Sequence, residues 1–411
     1  MLLTLARKSL LSRKKTVLLT FLSLTISLMV LLSVEHLRTQ AKTSFTRTIS
    51  GTDLIVGAPS GQLNLLLYSV FRLGSPTNNI KYDSYQKLVD NEQVKWAIPI
   101  SLGDSHKGFR VLGTNDSYFE HFAYGDKRKL TFSQGERFNG LFETVVGADV
   151  AEKLNYKVGD RIVVAHGIGS TSFTKHDQSP FVISGVLDKT GTPVDKTVHV
   201  SLPAIEAIHL PPSRLAQVIA NPQDAKLPTE SITAVLVGLN SKFATFTMQR
   251  ELNNDKSDRL MAILPGVAMT ELWQLVGSVE NLLRVIAGLV MLTTLFGLSS
   301  MLLASMNERQ AEIAVFRVLG AGPWKIMLLI FLEAMLLTLS AIATSYALLT
   351  FALTALKDFF ATEYGLFITS NLLSPSLVSL MIMVLVASCV TAIFPAIEAY
   401  KAALHNRLGK K

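Results

Sequence analysis

One cysteine, Cys389, stands in 411 residues. No disulfide can form within the chain, so any large domain outside the cytoplasm must stand on its own apolar core. Charge is scarce as well: 17% of the residues are Asp, Glu, Lys or Arg, against about 25% in a typical soluble protein. No Gly-x-x-x-x-Gly-Lys-Ser/Thr run occurs, which excludes a phosphate-binding loop of that kind and leaves any ATP-driven work to another chain. His36, His106, His121, His166, His176, His199 and His209 show no pair at helical metal-site spacing and have no cysteine beside them, so no metal site is expected. No Ser-His-Asp order or paired carboxylate points to hydrolysis, and no catalytic residue is expected. Internal repeats and low-complexity tracts are absent.

What is present is apolar and unevenly placed. The mean hydropathy is +0.36, and the apolar residues concentrate at 16–34, 285–306, 326–356 and 375–397. A span needs about 20 apolar residues to cross roughly 30 Å of hydrocarbon. Each segment is therefore expected to be a transmembrane helix, because lipid leaves backbone groups no partner outside the segment. The first could be misread as a cleaved signal peptide, but it is longer than a usual apolar region and no good small-x-small site follows. It is expected to be retained as an anchor. Lys and Arg set the orientation. Arg7, Lys8, Arg13, Lys14 and Lys15 precede the first span; Arg309, Arg317 and Lys325 lie between the second and third; Lys401, Arg407, Lys410 and Lys411 follow the fourth. With four spans all three groups share one side, which is expected to be the cytoplasm, with both termini inside a bacterial inner membrane. The net charge of +8 then reflects topology, and no nucleic-acid partner is needed to explain it.

The expected order is a cytoplasmic N-terminus (1–15), the first span (16–34), an extracytoplasmic α/β domain with helical stalks (35–284), the second span (285–306), a cytoplasmic segment (307–325), the third span (326–356), an outer loop (357–374), the fourth span (375–397) and a cytoplasmic tail (398–411). The fold class is thus a four-helix membrane protein with a large mixed α/β domain between spans one and two. Residues 35–50 are expected to continue the first helix as a stalk, ended at Gly51. Ala268–Arg284 repeats apolar residues on one face at Leu272, Leu275, Val276, Val279, Leu282 and Leu283 and runs without a breaker into span two, a second stalk that would tie the domain rigidly to the spans. Strands are expected at Asp53–Val56, Val94–Ile98, Phe109–Leu112, Arg161–Ala165, Phe181–Leu187, Val198–Leu202 and Ile232–Leu239, with helices at Ala148–Leu154 and Pro203–Ile208. The apolar stretch Leu63–Leu73 reads as a core helix or as an amphipathic element touching a lipid or hydrophobic substrate. Ser300 with Ala304, and Ala343 with Ala347, are small-x-x-x-small pairs that permit close helix packing.

Between spans two and three lies a charged block, Asn307–Ala321. Ile313, Phe316 and Leu319 form an apolar face at helical spacing, opposite Glu308, Arg309, Glu312 and Arg317. Gly320 and Gly322 can end the helix and Pro323 prevents its continuation. By pattern alone it is an interfacial connector or a helix gripped by a soluble partner. The run of Glu308, Arg309, Glu312, Ile313, Ala314, Arg317, Leu319, Gly320 and Ala321 resembles the coupling helix of MacB/FtsX/LolC-type ABC transporter permeases. Glu333 in Phe331–Ala334, the tail Phe394–Tyr400, the order of spans, and Gly147 with Leu154 and Val158-Gly159-Asp160 resemble the same family, although Ala402 stands near where that family usually has a second proline.

The resemblance implies a non-catalytic permease subunit, working as a dimer with a second copy or a homologous permease and with a separate cytoplasmic ABC ATPase that binds the ATP. No cofactor of its own is implied. A fused ATPase is not expected ahead of span one, where the first arginine is Arg7. In the resemblance, Glu308, Arg309, Glu312, Ile313, Phe316, Arg317, Gly320 and Ala321 couple to the ATPase. Ile313 and Phe316 serve as apolar anchors and the charges fix orientation. Glu333 is expected to lock span three to the coupling helix through Arg309 or Arg317; the other reading of a carboxyl so placed is that it snorkels to the interface or sits protonated. The ATPase stroke would move the stalks and the periplasmic domain, exporting or releasing a hydrophobic, lipid-linked, peptide or other periplasmic substrate. The alternative is an FtsX-like regulator that passes the movement to an extracytoplasmic enzyme without transport. Membrane lipids and a periplasmic accessory protein complete the expected partners.

Overall fold

The structure, a computed structural model, describes residues 2–125, 127–167, 179–222, 227–308, 315, 318, 320–364 and 372–405. The chain forms two units: Met1–Ala41 with Val276–Phe360 and Ile368–Lys411, and Lys42–Leu275 with Ala361–Phe367.

The first unit is helical. After a short helix, Leu2–Ser12, come Lys14–Arg47, Pro265–Glu308, Pro323–Tyr364 and Pro375–His405. All four are long and apolar enough to cross a membrane, over Lys14–Gln40, Pro265–Ala304, Pro323–Leu356 and Pro375–Glu398. Three open on proline, whose missing N–H is unpaired at that position anyway. Both expected stalks are helical in continuity with their spans: the first helix runs to Arg47, and the second begins at Pro265. Leu298, Leu302, Ile326, Ile330, Ala334, Leu337, Ala392 and Ala396 form one shared core. Leu24, Leu28, Met291, Leu295, Ala341 and Val384 form another.

Hydroxyl groups supplement this packing. Ser27 Oγ lies 2.6 Å from Thr294 Oγ1, and Ser345 Oγ donates to the Thr25 carbonyl at 2.8 Å. Pro395 lies inside the fourth helix and has no N–H to give the carbonyl four residues back, at Thr391. Ser299 of the second helix donates to that carbonyl at 2.8 Å. A polar group freed in one helix is thus satisfied by its neighbour, as a lipid setting demands.

The second unit is built on one mixed sheet. Its order is Met261–Ile263, Leu54–Gly57, Ala234–Leu239, Val94–His106, Phe109–Thr114, Thr197–Ser201, Glu143–Val146, Phe181–Leu187 and Phe132–Gly135. Phe109–Thr114 runs parallel to Thr197–Ser201, and Glu143–Val146 parallel to Phe181–Leu187; the other pairings in that order are antiparallel. Val94–His106 serves two half-sheets. Its Val94–Ile100 part pairs with Ala234–Leu239, its Ser101–His106 part with Phe109–Thr114, and the register shifts between Leu102 and Ser105.

The first half-sheet is covered on both faces. Ile55, Ile98, Leu236 and Ile263 point into one core, and Leu54, Val56, Val235, Val237 and Ala262 into the other. Covered strands read as unbroken apolar runs instead of alternating ones, which is why Leu54-Ile55-Val56 carries no polar residue. Helix Gln62–Ser69 packs in the first of these cores, with Leu65, Leu66, Val70 and Phe71 buried. Leu65, Leu66, Val70 and Phe71 are therefore core, as one of the two expected readings has it, while Leu73 at the end of the stretch is 55% exposed.

Two expected strands are broken. Arg161–Ala165 divides into Arg161–Ile162 and Ala165–His166, and Ile232–Leu239 into Ser231–Ile232 and Ala234–Leu239. The second break falls at Thr233, whose hydroxyl accepts from the Leu102 N–H at 3.0 Å in place of a ladder bond. Gly147 caps helix Ala148–Leu154 because nothing larger fits: a Cβ there would lie 2.2 Å from the Val194 carbonyl oxygen and 2.4 Å from that of Asp195. Asn155 ends the helix in the left-handed region, and Asp160 accepts from the Lys157 N–H at 2.8 Å to close the turn.

Candidate functional site

Of the residues expected to couple to an ATPase, Arg309, Glu312, Ile313, Phe316 and Arg317 lie outside the described residues. Glu308 is the last residue of helix Pro265–Glu308. Within the block, Val315 and Val318 are helical and 56% and 89% exposed. Gly320 has φ +87°, a left-handed conformation that glycine adopts without a Cβ penalty and that commonly terminates a helix. Ala321 is half-buried, the Lys325 N–H donates to the Gly322 carbonyl at 3.0 Å, and Pro323 opens the next helix. The block therefore ends where its glycine and proline place the stop. Trp324 follows, 64% exposed.

Glu333 is 1% exposed and engaged with a partner. Its helical neighbours Ile330, Ala334 and Leu337 belong to the core shared with the second and fourth long helices. A carboxyl group so placed faces the bundle and not lipid, the usual setting for an ionisable residue in a span. Its expected pairing with Arg309 or Arg317 falls outside the described residues.

A second polar site was not anticipated from sequence. Glu35 and Arg38 on the first long helix meet Glu280 and Arg284 on the second. Arg38 Nε donates to Glu280 Oε2 at 2.7 Å and its Nη1 to Glu35 Oε1 at 2.8 Å, while Arg284 Nη2 lies 3.3 Å from Glu35 Oε2. Glu35 thus joins both arginines. The signal available in the sequence was the i,i+3 and i,i+4 spacing of opposite charges at the ends of two apolar runs. That spacing reads equally well as two local pairs, and only the packing makes it a bridge.

The small-residue pairs stand apart from these contacts. Ser300, Ala304, Ala343 and Ala347 all face away from their own bundle. So does a stripe on the second long helix: Val279, Leu282, Ile286, Leu289 and Phe296 are each at least half exposed.

Comparison with known proteins gives this arrangement a family. A MacB-like periplasmic core domain matches residues 17–254, and an FtsX-like permease C-terminal region matches residues 284–404. The extracellular domain of the noncanonic ABC-type transporter YknZ from Gram-positive bacteria is similar at 15% identity, over 52% of this chain and 99% of that one, with a TM-score of 0.30. No curated protein matches the chain. The core-domain match alone takes in more than half of the 411 residues, and with the permease region behind it and four apolar helices around it, the chain belongs to the MacB/FtsX-type permeases of ABC transporters and is a multi-pass membrane protein.

Proposed function

We propose that this permease converts ATP hydrolysis by a separate cytoplasmic ATPase into movement of its periplasmic domain, and so exports or releases a periplasmic substrate. The chain itself performs no catalysis in this reading. The observation that carries it is the pair of helices Lys14–Arg47 and Pro265–Glu308, 34 and 44 residues long, bridged by Glu35, Arg38, Glu280 and Arg284. At 1.5 Å per residue the longer one reaches about 66 Å, twice the hydrocarbon thickness. Helices that continue unbroken past the bilayer and are clasped together transmit displacement better than two independent tethers.

In this reading residues 307–325 are the cytoplasmic handle. Ile313 and Phe316 enter a groove of the ATPase, Glu308, Arg309, Glu312 and Arg317 orient it, and Gly320 and Ala321 end it. Glu333 fixes the third span to the handle. Both termini lie in the cytoplasm of a bacterial inner membrane. The outward stripe from Val279 to Phe296 has heptad-like spacing, and its outer part lies beside Glu280 and Arg284, beyond the span expected at 285–306. Apolar side chains exposed there require cover, and a second permease copy supplies it.

Single-cysteine labelling tests the orientation in a Cys389→Ala background. Val315→Cys should react with a membrane-impermeant maleimide only after the cells are opened, and Phe243→Cys, 96% exposed, in intact spheroplasts. Reaction of Val315→Cys from outside would end the proposal. Phe316→Asp should abolish co-purification of the ATPase while the permease remains in the membrane. Retained ATPase with undiminished stimulated hydrolysis would remove the handle from the mechanism.

A further inference from the structure

The two halves of the sheet meet at a polar cavity of about 460 Å³. One wall is the loop Ser75, Thr77 and Asn78; the other is Gly103 and Arg110. The opening follows from the register shift in Val94–His106, since a strand bulged between Leu102 and Ser105 leaves part of its edge unladdered. Gly103 stands in open space, where even an added Cβ would meet nothing within 4 Å. Arg110 donates to the Gly74 carbonyl and so draws the loop against strand Phe109–Thr114.

Behind Arg110 is a second cation. Arg72, 8% exposed, donates to the Ser69 carbonyl at the end of helix Gln62–Ser69, and its Nε has no hydrogen-bond partner. Burial pushes both guanidinium groups below their ordinary range, and Arg72 lowers Arg110 further. Tyr118 is the ionisable group that raises Arg72, and Arg72 lowers Arg110; Asp104, the buried carboxylate of the same bulge, is engaged with a partner of its own. Carbonyl dipoles hold these cations in place but supply no negative charge. A buried cation left in that condition is costly, and an anion with several acceptor oxygens relieves it best.

We propose that this cavity binds a phosphate-bearing ligand, with Arg110 in direct contact, Ser75, Thr77 and Asn78 as further donors, and Arg72 behind them as a fixed positive charge. The phosphate belongs either to a small soluble ester or to a phospholipid headgroup. This site is independent of the ATPase handle and stands whether or not the coupling mechanism does.

The test uses the full-length permease in a neutral detergent, titrated separately with radiolabelled inorganic phosphate and with dioctanoyl phosphatidylglycerol. Saturable binding of at least one probe is expected, weakened about tenfold or more in Arg110→Gln, a change that removes a charge-assisted contact. Thr77→Glu, at an exposed position, should abolish binding and raise the thermal midpoint, because it brings the missing negative charge. Binding of phosphate with no added affinity for the lipid assigns a soluble ester; binding of the lipid alone, with dioctanoylglycerol inactive, assigns a headgroup. No saturable binding of either probe, or undiminished binding in Thr77→Glu, overturns the proposal.

Discussion

The sheet unit and the helical unit put apolar side chains to opposite uses. In the sheet unit Leu54, Ile55, Val56, Leu65 and Leu66 are wholly buried. In the helical unit Leu282, Val285, Leu289 and Phe296 face outward on a single helix. Water drives the first pattern. In lipid, where tails are as apolar as leucine, nothing drives burial, and the helices rely on close packing and on hydroxyl-to-carbonyl links such as Ser345 to Thr25. The same composition therefore gives a core in one unit and an outward face in the other.

The contrast can be broken most strongly by truncating one leucine in each unit. Leu65→Ala should destabilise the sheet unit by about 2–5 kcal/mol, the range for buried leucines, measured by denaturant unfolding of the purified permease. Leu19→Ala, 70% exposed on the first long helix and outside the stripe assigned to a second copy, should stay within about 0.5 kcal/mol in the same assay. Equal losses would mean that the outward face is a packed interface in the isolated protein.

Acid should separate the units next. His199 is fully buried, and burial with Arg72 nearby holds it down to about 3. The unfolded chain, with histidine near 6.5, then binds more protons than the fold throughout the interval between these values. Stability is intact above pH 6.5 and falls as pH drops through that interval, by about 1.4 kcal/mol per pH unit. His106, lowered chiefly by burial, adds to the loss. Asp195, raised by burial against hydrogen bonds from Thr190 and Gly191, offsets part of it as carboxylates begin to titrate. Thermal midpoints at pH 7.5 and 5.5 should differ in the wild type, and the difference should shrink in His199→Phe. An unchanged slope would show that His199 does not govern the response.

The smallest expected effect is the most specific. Ser299→Ala should cost about 0.6 kcal/mol, the average for hydrogen bonds between spans, and no more than about 1.7 kcal/mol. In a Pro395→Ala background, where the fourth helix can supply its own N–H to Thr391, the same change should cost less. Additive losses would mean that the serine does not serve the carbonyl left by the proline.

Much of this fold was legible in the sequence because two solvents write two patterns. Runs near 20 apolar residues announced the four helices, and the lack of any breaker between Ala268 and Arg284 announced that a stalk would run into its span. Helix Ala148–Leu154 could be placed from Gly147 and the turn after it. Short helices such as Tyr82–Val89 and Asp116–His121 were not foreseen, since eight residues or fewer give barely two turns of periodicity. Thr233 broke a strand that propensity would have continued, because a tertiary hydrogen bond outweighed the local preference. In the candidate site, the stop at Gly320 and Pro323 was readable from residue type alone. The meeting of Glu35 and Arg38 with Glu280 and Arg284 was not, because it depends on the relative rotation of two helices more than 200 residues apart in sequence, as the 242-residue separation of Arg38 and Glu280 shows.

Strand Val94–His106 has a consequence for how such a domain can be inherited. Its first part edges one half of the sheet and its last part edges the other, so a recombination joint anywhere along it would hand each descendant an unfinished border. New versions of this domain should arise by substitution and by growth of its loops, not by exchange of halves.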